Sequence, residues 1–126
     1  MSMIEVKTAG LIGPALDWAV AKAVPLKHWP VVINGNVFLD TDYEYIRYSP
    51  STDWSQGGPL IVKYQIGLLS PAQSPCGEWH ASTRHPDLTD FTHKDNPLIA
   101  ACRAIVAAKL GDVVRVPAEL VNWSAP

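Results

Sequence analysis

Residues 97–110, PLIAACRAIVAAKL, constrain this chain more than any other stretch. Asn96 caps the segment, Pro97 stands where a missing N–H is harmless, and Gly111 follows as a stop, so the spacing predicts one well-marked helix. Leu98, Ile99, Cys102, Ile105, Val106 and Leu110 form one apolar stripe. The opposite side is Ala100, Ala104, Ala107 and Ala108, interrupted only by Arg103 and Lys109. A helix apolar all round must be covered on both sides, by another helix or by a second subunit. The remaining elements therefore have to wrap it, or a homodimer has to hide it.

The rest of the sequence supplies short strands and two further helices. Ile4–Lys7 alternates as a strand does, and Thr8 is placed to cap an initial turn. Leu11, Ile12, Ala15, Leu16, Ala19, Val20 and Ala23 recur at helical spacing, with Pro14 in the first turn, Pro25 closing the element, and Asp17 and Lys22 as its polar side. VVINGNVFL, near residues 31–39, is a hairpin signal, because Asn34 and Gly35 both tolerate the positive φ of a type I′ turn. YEYIRY alternates next, putting Tyr43, Tyr45 and Arg47 on one face and Glu44, Ile46 and Tyr48 on the other. IGLL and EWHAST are two more strands, joined by SPAQSPCG; residues 84–96 are a polar loop, and VVRVP is a last strand.

YSPSTDWSQGGP, Tyr48 to Pro59, mixes cap and breaker signals. Asp53 and Gln56 stand at capping-box spacing. A helix begun there must carry Gly57-Gly58-Pro59, and an interior proline costs about 3 kcal/mol unless relieved. One kinked helix, or a turn followed by a short helix, are the two readings. The order of elements over 126 residues predicts a single α+β domain spanning 1–126: a small, mostly antiparallel sheet with helices packed on it.

Bulk chemistry narrows function. The net charge is −2 and the pI about 6.0, without a basic cluster, which disfavours nucleic acid. No apolar run is long enough to span a membrane and no secretory leader is present, so a cytoplasmic location in the host is expected. Five tryptophans are a heavy load for this length and point to a surface covered by a partner. Cys76 and Cys102 read as free thiols. His80, His85 and His93 with Asp87, Asp90 and Asp95 crowd one region, but their spacing specifies no ligand set, so no metal is assigned. Ser49, Ser51, Cys76 and Ser82 lack a nucleophile elbow, and Gly57-Gly58 matches no phosphate or dinucleotide fingerprint. No catalytic residue and no cofactor is assigned.

Candidate binding residues come from the middle block: Tyr48, Ser51, Asp53, Trp54 and Gln56, with Arg103 as a charged neighbour. Flat aromatics beside short polar groups suit a small neutral ligand or a protein surface. The bland alternative places Trp18 and Trp54 at the edge of the core, each indole N–H with a partner.

Three blocks, ALDWAVA, YSPSTDWSQGGPLI and PLIAACRAIVAAKLGD, occur in that order. Together they resemble the NinX-like proteins of lambdoid phages and prophages, a family without an assigned activity. More distantly the pattern resembles a phage domain described as an α-β-α sandwich, which implies helices on both faces of a small sheet. The Asn34-Gly35 hairpin and the histidine-containing loop read as additions to the family pattern. The resemblance implies a phage accessory protein. With no catalytic grouping, the expectation is non-enzymatic binding to a host or phage protein, anti-defence binding included. The alternative is a small-molecule binder, or an enzyme, with a pocket near Trp54.

Overall fold

The computed structural model describes residues 2–83 and 91–122. Its strands are β1 (Met3–Lys7), β2 (Trp29–Ile33), β3 (Asn36–Asp40), β4 (Tyr45–Arg47), β5 (Gly67–Leu69), β6 (Trp79–Ser82), β7 (Phe91–His93) and β8 (Val113–Pro117). Its α-helices are α1 (Gly13–Ala23), α2 (Trp54–Lys63), α3 (Pro97–Leu110) and α4 (Glu119–Asn122), and Thr8–Gly10 form one 3₁₀ turn. The α+β class holds. The strands, however, divide into three antiparallel sheets, β1-β8, β2-β3-β4 and β5-β6-β7, in place of one.

Helix α3 is the centre. Every residue from Leu98 to Ala107 is buried. Helix α1 packs on one part of it, β6 and β7 on another, and α2 near its N-terminus, while β2 and β3 lie against α1. The helices thus touch each other as well as the sheets. The apolar girth of α3 is covered within the chain, so that feature no longer asks for a second subunit. Its ends follow the sequence signals: Asn96 Oδ1 accepts from Leu98 N–H (2.8 Å), and Gly111 takes φ 97° past the last turn.

Arg103 is the one cation inside this girth and is 9 % exposed. Its Nε donates to Leu11 O (2.8 Å) and its Nη1 to Thr92 O (2.7 Å). It ties the start of α1 to β7, satisfying carbonyls that the core would otherwise strand. Burial pulls its pKa down, opposed by Glu78.

Several local readings change. Thr8 caps nothing; its Oγ1 donates to Gly111 O (2.7 Å) and its N–H to Asp112 O (2.8 Å), clasping the two ends of the domain where β1 pairs with β8. The Asn34-Gly35 turn is as expected, at φ 52° and 77°. Residues 91–93, within the stretch read as a polar loop, form β7 with Phe91 buried; residues 84–90 of that stretch lie outside the described residues. Residues 54–63 form one helix with Pro59 inside it.

Candidate functional site

The Tyr48–Asp53 segment is a tight turn fastened to all three long helices. Ser49 O accepts from Thr52 N–H (3.1 Å) and Asp53 N–H (2.9 Å), closing the turn on itself. Asp53 caps α2, its Oδ1 accepting from Ser55 N–H (2.9 Å) and Ser55 Oγ (2.7 Å). Gln56 does not complete a capping box. Its Oε1 accepts from Ser49 N–H (2.6 Å) and its Nε2 donates to Arg47 O (2.8 Å), stapling the turn to α2. Asn96 Nδ2 donates to Ser51 O (3.3 Å) from the cap of α3, and Ser51 N–H donates to Asp17 Oδ1 (2.9 Å) on α1.

Asp17 is therefore no surface residue of α1. It is 4 % exposed, and burial raises its carboxyl pKa to about 6, against the opposing pull of Ser51 and of Arg47. The Ser51 hydroxyl is fully buried beside the Asp17 carboxyl and makes no hydrogen bond of good geometry among the described residues. Tyr48 is buried beside it. Desolvation, then the neighbourhood of Cys102 and Asp17, pushes its phenol upward; Cys102 is raised chiefly by its own burial.

Beside this turn, the β2–β3 hairpin and the N-terminus of α1 enclose a cleft of about 460 Å³, lined by Asp17, Asn34, Asn36, Arg47, Ser49 and Thr52 among others. Arg47 Nη2 donates to Asn36 Oδ1 (2.9 Å). The six candidates from sequence do not meet there. Tyr48 and Ser51 are buried, Asp53 and Gln56 hold the turn, and Trp54 is 55 % exposed. Arg103 lines a separate cleft of about 390 Å³ with Glu78, Thr92 and His93. The sequence marks Asp17 and Arg47 only as polar positions of their elements; the available hint is the position of Asp17 directly beside the apolar stripe at Leu16 and Val20.

Aromatic groups gather toward the far end of the hairpin sheet, on the face that also carries Arg47. Trp29 is 74 % exposed, Tyr43 97 % and Tyr45 58 %, with Ile46 exposed as well. Asp40 of β3 pairs with Trp29 on one side and Tyr45 on the other, which places all three in one row across the sheet. Lys22 Nζ stands 5.2 Å from the Trp29 ring centre and 5.5 Å from that of Trp18, a cation shared by two indoles. Trp18 is partly buried, and its Nε1 finds no partner among the described residues. Trp18 is thus at the edge of the core as expected, without the expected partner, whereas Trp54 is exposed.

Among the described residues no group of three His, Cys, Asp or Glu side chains is placed to hold a metal ion; His85, Asp87 and Asp90 lie outside them. His93 Nδ1 accepts from Asn96 N–H (3.0 Å) and Asp95 N–H (3.2 Å), shaping the entry to α3, and burial lowers its pKa. No helix among the described residues is long and apolar enough to cross a membrane.

These features define a small α+β domain with a pinned central turn, a polar cleft beside it and an exposed aromatic sheet. The family described as Bacteriophage P22, NinX matches residues 7–109, and the chain belongs to that family of phage proteins. The match starts at the last residue of β1 and stops in the last turn of α3, so it spans the first two sequence blocks, all but the last three residues of the third, and the central turn. No curated protein matches the chain.

Proposed function

We propose that this is a phage or prophage accessory protein that acts in the host cytoplasm by binding a host or phage protein, and not by catalysis. The exposed aromatic face of β2-β3-β4 carries the reading. Trp29 and Tyr45 lie on one row of a thin sheet, and β4 is an edge strand with every residue exposed. Large aromatics dominate the energy of protein interfaces, and an open strand edge offers unpaired backbone groups to an incoming chain. A net charge of −2 argues for a protein surface over nucleic acid. Blocking a host defence protein is one form such binding takes in a phage.

Against the alternative, a small-molecule pocket at Trp54, stands the burial of Tyr48 beside an exposed Trp54. The test is affinity capture from host lysate, run in parallel with Trp29→Ala/Tyr45→Ala. Two central aromatics are worth about 2 kcal/mol each at an interface, so the double variant should lose a specific captured protein by about 100-fold or more. Its melting temperature should stay within about 2 °C, since exposed positions contribute little to stability. Capture unchanged by the double substitution would remove this face from the reading.

A further inference from the structure

The cleft between α1, the β2–β3 turn and the central turn carries a second site that the aromatic face does not explain. Its volume, about 460 Å³, is that of a small-ligand site. Two opposite charges line it. Asp17 is 4 % exposed, and its carboxyl meets Ser51, whose N–H donates to Oδ1. Arg47 is exposed and engages Asn36 through Nη2 alone. The two are near enough for the guanidinium to favour the ionised carboxylate, yet each is bonded to a different neighbour.

Gly13 and Pro14 line the same cleft at the start of α1, and that helix has no side-chain cap. The positive end of that helix adds to the charge in the cleft beside Arg47 and Asp17. A simple anion would be drawn to Arg47 and repelled by Asp17. A simple cation would meet the reverse. A ligand carrying both charges satisfies both walls.

We propose that the cleft binds a small zwitterion of the amino-acid class, its ammonium group on Asp17 and its acid group on Arg47 and the α1 N-terminus. The hydroxyls of Ser49 and Thr52 and the Asn34 carboxamide, which make no side-chain hydrogen bonds among the described residues, supply further polar contacts. Titration followed by ¹H–¹⁵N correlation spectra tests this with glycine, L-alanine, β-alanine and γ-aminobutyrate as probes, and propylammonium and propionate as single-charge controls. At least one zwitterion should move the Gly13 and Gly35 amides and the Asn36 side-chain amide saturably, with a Kd below about 10 mM. Each control should bind at least about tenfold more weakly. Asp17→Asn and Arg47→Gln should each weaken binding by about tenfold or more, with the spectrum of the exposed Arg47→Gln variant reporting an intact fold. No saturable shift with any zwitterion overturns the proposal, and so does a control that binds as well as the best zwitterion, or binding that survives both substitutions.

Discussion

Gly57→Ala is expected to destabilise the domain by about 3 kcal/mol or more, lowering its melting temperature by about 10 °C, whereas Gly58→Ala should leave it unchanged or raise it by up to about 1 kcal/mol. A Cβ on Gly57 would be driven into the carbonyl oxygen of Pro50 and would lie 2.8 Å from Leu98 Cδ2. Neither neighbour has room to yield. Pro50 is buried within the turn fastened by Gln56, Asp17 and Asn96, and Leu98 is 1 % exposed in the first turn of α3. Gly58 has only Trp54 Cε3 at 3.7 Å, an ordinary contact, so alanine there simply stiffens the unfolded chain and improves helix propensity. Urea unfolding of both variants gives the comparison; equal stabilities would mean that α2 does not press on the central turn at Gly57.

The same glycines show what the sequence could and could not disclose. Gly57-Gly58-Pro59 was legible as a disturbance in a helix, because proline and glycine act on their own backbone. That Gly57 is where α2 meets Pro50 and Leu98 depends on three elements meeting in space. Local rules succeeded where the physics is local: the Asn34-Gly35 turn, the Asn96 cap and Gly111 stop, the Asp53 cap, and the strands β1, β5, β6 and β8. They failed where a polar side chain serves a distant segment. Gln56 has the spacing of a capping-box partner but reaches back to Arg47 and Ser49. Arg103, taken as a neighbour of the middle block, spends its guanidinium on Leu11 and Thr92. Phe91 was hidden in a polar run because a three-residue strand is too short for periodicity to register. The cleft beside the central turn was hidden as well, since its lining comes from α1, the hairpin, β4 and the turn.

Asp17→Asn is the substitution with the largest expected gain, and it separates stability from function. The carboxyl has a pKa of about 6 in the folded state, caused first by burial, against about 3.9 in an unfolded chain. Between those values the folded state holds a proton that the unfolded state has released, so stability falls as pH rises through the window. The loss is complete above about pH 6 and absent below about pH 4. A gap of about two pH units, at about 1.4 kcal/mol each, sets it near 3 kcal/mol. Asparagine keeps an acceptor for Ser51 N–H but carries no charge to desolvate; it does give up the attraction of Arg47. The variant should therefore match the wild type near pH 4 and exceed it by about 2 kcal/mol near pH 8. Urea unfolding at both pH values measures this as a difference between the two proteins, in which the other carboxylates cancel. A variant less stable than the wild type near pH 8 would show the carboxylate to be a net stabiliser and the argument wrong. The proposed zwitterion site would give a use to a carboxylate that weakens the fold at neutral pH. The charge that destabilises the folded chain above pH 6 is the charge an ammonium group would need, so ligand affinity should rise over the same pH window in which stability falls.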